Sequence, residues 1–371
     1  MKIGTTKERL LNAILLAERI VGKKESLPVL SCILIEANDR EVTLSATNLE
    51  AGVDIRLPAE VEESGVVAVS AHVLAQTIRS ISGDKIQLKT EDSNLLIESR
   101  GTKTLIKAVP HNEFPALSTS VETKGIVVSR ENLLRGIQSV SYAASPSMIR
   151  PELGSIFISL STSGMITAAT DSFRLAEKVL SNTAIKEDQD ILIPLKHALE
   201  LTHVLETIDS ETVTLQLDES QIAVLSDGIK IGHVRYVSRV VDGQFPNYKE
   251  IIPKSFTTEA TVLKNDFAEM LRKARIFSGN DQHVGLHIYP NRKIFSATAQ
   301  SNDVGEMSDS VDAALTGDDI DINFHIGYLN DCFTSIQSDS IILGFSGPAR
   351  PVVIRGVSDA NFTYLVMPLN R

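Results

Sequence analysis

The chain lacks most of what would mark it as a secreted protein, a membrane protein or an enzyme. Its 371 residues include only two cysteines, Cys32 and Cys332. Two cysteines build no disulfide framework and fit a reducing compartment. Both sit in apolar segments, so buried free thiols are expected. No apolar run approaches the roughly 18 residues that a bilayer-crossing helix needs. The N-terminal MKIGTTKERLLNA is charged and helix-like and has no signal-peptide core or cleavage site. A cytoplasmic location and no membrane partner are therefore expected. Phosphate-binding G-x-x-x-x-G-K-[ST], dinucleotide G-x-G-x-x-G, the G-x-S-x-G elbow and H-E-x-x-H are all missing. Their absence lowers the prospect of an enzyme without excluding a scattered active site. His283 and His287 have a zinc-like spacing, but HVGLHIY alternates as a strand and no third ligand is near. His197 and His203 lie six apart on a predicted helix, on different faces. No metal and no cofactor are expected.

Positive charge is also in deficit. Lys and Arg number 36 against 47 Asp and Glu, a net charge of −11. Taken alone, that argues against a nucleic-acid binder, because phosphate contact needs cations. The distribution changes the argument. Six predicted helices, Thr5–Lys24, Ser70–Ile81, Ser129–Ser145, Pro194–Ile208, Leu263–Gly279 and His325–Ile336, together carry +5, which leaves −16 for the remainder. With all helices on one side, that side is mildly basic and the other strongly acidic, an arrangement able to hold DNA through phosphates without reading bases. Solvated helix faces favour Lys and Arg in any case, so the split does not decide the matter alone.

What is present is a repeat. ATDSFRLA (169–176) joins two strand-like runs through Thr170-Asp171, where a turn aspartate bonding nearby backbone N–H is the ordinary reading. Degenerate copies lie around Thr47 and Thr298, 123 and 128 residues away, and Phe114-Pro115 and Phe245-Pro246 are 131 apart. Each round runs helix, strands, Ala-Thr turn, strands, helix, hairpin. The first helix is expected to open on a Thr5-x-x-Glu8 capping box and stop at Gly22, with Leu27–Glu36 a strand. The fifth is expected to use an Asp266-x-x-Glu269 cap, and the sixth to run to about Ile336. A period above 100 residues reads as tandem copies of one domain, here 1–125, 126–256 and 257–371. Strands outnumber helices and hairpins join most of them. The fold class is α+β, with mainly antiparallel sheets and helices on one face.

Several segments resemble one family: LPVLSCILIE (27–36), SATNLE (45–50), RPELGS (150–155), ATDSFRLA (169–176), LIPLK (192–196), DGQFPNYKEIIP (242–253), QSNDVGEM (300–307) and YLVMPL (364–369). Spread along the chain in order, they are similar to the bacterial DNA polymerase III beta subunit, the sliding clamp. The resemblance implies three tandem clamp domains, with two helices per domain inside and sheets outside. It further implies a head-to-tail homodimer that closes into a ring around double-stranded DNA. Such a ring binds DNA non-specifically, slides, and tethers a polymerase as a processivity factor with no activity of its own. The implied partners are the polymerase III alpha subunit, the clamp loader, repair polymerases and mismatch-repair proteins. The peptide groove implied for them takes in Leu153, Thr170, Phe173, Arg174, Leu175, Pro246, Ile251, Leu365, Met367, Pro368 and Leu369. DNA contacts carried over are Lys24, His72, Arg150 and Lys196. Ser172-Phe173 and the terminal Asn370-Arg371 depart from the family pattern, as does Pro151-Glu152. QSNDVGEM and Thr104–Lys107 lie where the family pairs edge strands across subunits. The alternative is a triplicated clamp-like protein-binding scaffold without a DNA role.

Overall fold

The computed structural model describes every residue except 23–26, 40, 118–124, 182–187, 229–230 and 370–371. Lys24, Asn370 and Arg371 therefore lie outside the described residues. The described helices are α1 (Lys7–Ile20), α2 (Ala71–Ser80), α3 (Arg130–Val140), α4 (Leu195–Thr207), α5 (Lys264–Ile276) and α6 (Ile326–Asn330). None is long and apolar enough to cross a membrane. The chain divides into two units, one built mainly from Met1–Leu134 and Lys196–Asp242, the other mainly from Gly243–Arg371 and the strands between Arg135 and Leu195.

In the first unit, a nine-stranded sheet has Ala51–Leu57 bonded to His233–Arg239, so strands of the first and middle rounds share it. A five-stranded sheet ends at the edge strand Thr102–Ile106. Its hairpin, Lys85–Glu91 with Asn94–Ser99, turns through Asp92 and Ser93, both at positive φ. The second unit repeats the scheme. Arg174–Leu180 pairs with Phe362–Val366 inside a nine-stranded sheet, and a four-stranded sheet ends at the edge strand Gly305–Ser310. The middle round thus contributes strands to both units. Every strand pairing among the described residues is antiparallel.

Several local expectations fail where the rest of the chain satisfies a helix end. Thr5 is in the strand Lys2–Thr6, paired with Ile86, and caps nothing. The first-turn N–H of Lys7 is taken by the Asp84 carbonyl (2.8 Å), so α1 needs no capping box. Likewise Lys264 N–H donates to the Asp339 carbonyl (2.8 Å), and Asp266 and Glu269 make no cap. α1 ends at Ile20, before Gly22. Pro28–Ser31 forms a 3₁₀ turn ahead of the strand Cys32–Ala37, because proline fixes φ and brings no N–H to a ladder. α6 stops at Asn330 and tightens into a 3₁₀ turn, Asp331–Thr334. α2 does use a side-chain cap, Ser70 Oγ accepting from Val73 N–H (3.5 Å).

One polar cluster inside the first unit makes its stability depend on pH. Burial pushes the Glu200 carboxyl up to about 7, against the opposing pull of Lys196 and of the Tyr236 hydroxyl, which donates to it. Burial also lowers the pKa of His197, whose ring meets Ser238 Oγ at 3.0 Å. A raised carboxyl pKa means that the folded state keeps a proton the unfolded chain releases. The Glu200 contribution is therefore lost as pH rises from the ordinary glutamate range through about 7. Glu200→Gln should be more stable than the parent at pH 8 by roughly 1–2 kcal/mol, after discounting for partial exposure, and equal to it near pH 4.5. His197 acts in the opposite direction but is common to both proteins. Thermal unfolding across that pH range checks this, and a constant offset between the two would refute it.

Candidate partner-binding groove

The turn at Thr170 is built by side chains that replace missing ladder bonds. Thr170 Oγ1 donates to the Arg174 carbonyl (2.6 Å) and accepts from Ser172 N–H (3.2 Å). Asp171 Oδ1 accepts from the N–H groups of Phe173 and Arg174, at 2.9 and 3.0 Å. Ser172 sits at φ +79°. The copy at Thr47 has the same wiring: Thr47 Oγ1 bonds Leu49 N–H and the Ala51 carbonyl, Asn48 Oδ1 accepts from Glu50 and Ala51, and Leu49 is at φ +75°. The expected third copy is not a turn. Thr298 lies within the strand Ile294–Ser301, opposite Gly285 and Ser308, and its hydroxyl meets His287 Nε2 at 2.8 Å. Ala299 stands where an Asn or Asp is required to hold the two following N–H groups, so the strand continues.

Asp171 has a second task. Its Oδ2 accepts from Arg174 Nε (2.9 Å), and the guanidinium continues to Asp331, lying 4.5 Å above the Tyr328 ring. This half-buried fork locks the turn, with Phe173 left 59% exposed beside it. Asp171→Ala should cost about 1–3 kcal/mol, because it removes two backbone caps and one partner of a half-buried cation. Chemical unfolding reads that loss, and a change below about 0.5 kcal/mol would show that Asp331 and Tyr328 hold the turn unaided.

Phe173 borders a cavity of about 270 Å³ in the second unit, walled by Arg150, Leu153, Thr170, Ser172, Phe173, Arg174, Leu175, Pro246, Asn247, Tyr248, Ile251, Pro351, Leu365 and Met367. Leu175 and Leu365 are cross-strand partners and form its closed floor, 1% and 2% exposed. Ile251 (55%) and Met367 (38%) join Phe173 as accessible apolar walls. Tyr248 is fixed by donating its hydroxyl to Glu177 Oε2 (2.5 Å), and burial together with that carboxylate raises its pKa. Phe157 and Phe245 stack behind the floor, ring centroids 4.9 Å apart. The result is an apolar trough with one adaptable Met and a guanidinium at its edge, a lining suited to an apolar ligand.

Of the residues expected here from sequence, Leu153, Thr170, Phe173, Arg174, Leu175, Pro246, Ile251, Leu365 and Met367 come together in this wall. Pro368 and Leu369 are not part of it. Met367 N–H is bonded to the Phe173 carbonyl, and Leu369 N–H donates to the Asn323 carbonyl, each at 2.8 Å, so the tail turns away along the strand Ile320–His325. Sequence reasoning missed Asn247, Tyr248 and Pro351, while Ser172, noted as a departure at the groove wall, does line it. Asn247 adjoins the expected Pro246 and Tyr248 follows it, whereas Pro351 carries no signal of its own. Arg150, expected at DNA, also lines this trough and pairs with Glu152 at 3.0 Å. His72 is exposed on α2 beside Glu18 (3.3 Å), and Lys196 is exposed on α4.

Residues 1–118, 127–247 and 249–370 match, in turn, the N-terminal, central and C-terminal domains of the DNA polymerase III beta subunit. The chain belongs to the DNA polymerase III beta subunit family. A curated relative, the beta sliding clamp of Staphylococcus aureus, is 23% identical over 361 residues, spanning 95% of this chain and 94% of its own. Among solved structures, the DNA polymerase III beta subunit of Thermotoga maritima superposes with a TM-score of 0.93 at 26% identity, covering 100% of this chain and 99% of its own. The Bacillus subtilis DNA polymerase sliding clamp gives 0.91 at 22%, with the same coverage, a likeness of fold. Within this family fold of three clamp domains, the trough lies on the sheet that joins strands of the middle and last rounds.

Proposed function

We propose that the chain is a DNA polymerase processivity factor, an accessory subunit with no catalytic activity of its own. Two copies close head to tail into a ring that encircles duplex DNA, and the Phe173–Met367 trough tethers the polymerase. The observation that carries this reading is the family match along the chain, together with an apolar trough that none of the described residues fills. The three clamp domains are taken as 1–125, 126–256 and 257–371. Ring closure is supported by two free sheet edges. Thr102–Ile106 offers an exposed Leu105 and Gly305–Ser310 an exposed Glu306, while Lys103 and Asp309 are already paired with Glu98 and Lys273. Topology, not affinity, then keeps the ring on the duplex, and tethering raises the polymerase's effective concentration at the primer end. The polymerase alpha subunit, the clamp loader, repair polymerases and mismatch-repair proteins are the partners proposed for the trough, in the cytoplasm. DNA contact through Lys24, His72, Arg150 and Lys196 belongs to the same proposal.

The decisive experiment loads the protein onto nicked circular DNA and then linearises it. Retention on the circle and release from the linear form are expected. Equal retention on both would rule out encirclement, and no retention on either would leave a scaffold without a DNA role.

A further inference from the structure

One carboxylate holds the closed end of the trough from outside it. Glu177 lies two residues beyond Leu175 on the strand Arg174–Leu180, so both side chains rise from the same face of the sheet. It is not part of the trough wall. Its Oε2 accepts the Tyr248 hydroxyl (2.5 Å), a charge-assisted bond stronger than one between neutral groups. Among the described residues, that carboxylate is the only hydrogen-bond partner of the hydroxyl. Tyr248 is buried and packs with Leu175, Val353 and Leu365. Its ring stands edge-on to Phe245, centroids 5.7 Å apart. Its main chain is bonded as well. The Tyr248 N–H donates to the Pro246 carbonyl (2.7 Å), and the Tyr248 carbonyl accepts from Ile251 N–H (3.1 Å). Ile251, an exposed apolar wall, follows directly on the 3₁₀ turn Tyr248–Glu250. One side-chain bond from the sheet thus ties down a short turn that carries Pro246, Asn247, Tyr248 and Ile251, four members of the wall.

We infer that Glu177 is a positioning residue that sets which apolar side chains the trough admits, an inference that rests on the peptide reading above. The trough offers about 270 Å³. With Tyr248 anchored, a bulky side chain enters only by displacing its ring, and that breaks the bond to Glu177. A branched aliphatic side chain packs against the ring where it stands and uses a wall already ordered. Replacing Glu177 by leucine leaves a buried hydroxyl without an acceptor. Tyr248 then turns that hydroxyl toward water, which widens the closed end and loosens Ile251. Glutamine keeps an acceptor oxygen at the same reach and holds the ring. Selectivity is a difference of two affinities, so it shifts here without loss of the fold.

Two labelled polymerase-tail peptides, identical except for one apolar residue that is leucine in one and tryptophan in the other, are titrated into the full-length parent, Glu177→Leu and Glu177→Gln. The leucine-to-tryptophan affinity ratio should fall about 5–10-fold in Glu177→Leu and stay within about twofold of the parent in Glu177→Gln. The thermal midpoint verifies that each variant is folded. A loss by the same factor for both peptides, or an unchanged ratio in folded Glu177→Leu, overturns the inference. In parallel, hydrogen exchange of the Ile251 amide reports whether the Tyr248 turn is held, with no peptide present. A parent that binds neither peptide refutes the trough reading, and the exchange rates then decide the anchor by themselves. Faster exchange in Glu177→Leu than in Glu177→Gln keeps Glu177 as the holder of this wall, and equal rates overturn it.

Discussion

Deletion of Met367–Arg371 is expected to reduce the affinity for an apolar polymerase-tail peptide by about 100-fold or more, roughly 3 kcal/mol. Two losses combine. Met367 is one of three accessible apolar walls of the trough, and its side chain adapts to different ligands. Its N–H also holds the Phe173 carbonyl, so removing it frees a second wall, whose ordering the peptide would then have to supply. The fold itself should survive, because Leu365 and Val366 stay paired with Leu175 and Arg174 and remain buried. Titration of a labelled peptide measures the affinity, and the thermal midpoint verifies the fold. Unchanged affinity in a folded deletion variant would remove the trough as the partner site. The milder Met367→Ala should lose only about 5–10-fold, since the backbone bond to Phe173 persists.

Lys178→Met is expected to destabilise the second unit by about 3–5 kcal/mol, the largest single-residue effect proposed here. Lys178 and Asp359 are 4% and 9% exposed, so removing the ammonium leaves a carboxylate with neither water nor counter-charge. Replacing both partners, Lys178→Met with Asp359→Leu, should recover most of the loss, because two buried charges give way to apolar contact with the adjoining Phe362 ring. Urea unfolding of the parent, the single and the double variant forms the cycle. A single variant within about 1 kcal/mol of the parent would mean that water reaches Asp359.

Periodicity is a local property, and what it can reach was legible. Leu10, Ile14 and Ala17 at helical spacing lie on the buried face of α1, and Phe267, Met270, Leu271 and Ala274 do the same in α5. The hairpin around Asp92 and the strands on either side of Thr170 were equally readable. Helix ends were read less well, because the groups that complete them come from afar: Asp84 serves Lys7, and Asp339 serves Lys264. Similarity of letters also misled at Thr298. Ser-Ala-Thr is shared with the copy at Thr47, but the Asx side chain that makes the turn is not.

The trough shows the same division. Phe173, Arg174 and Leu175 stood out in the sequence, and the family resemblance grouped them with Pro246 and Leu365. The sequence could not say that the guanidinium of Arg174 turns to Asp331, 157 residues further on, while still lining the trough. Nor could it say that Leu369 leaves the trough for Asn323. By itself, then, the sequence determined the α+β class and the family. Each follows from short-range patterns and from motifs kept in order. Only the tertiary structure decided which strands join the rounds, which face of Arg174–Leu180 floors the trough, and that Lys178 meets Asp359. Those depend on contacts between residues far apart in the chain, and no local pattern encodes such distances.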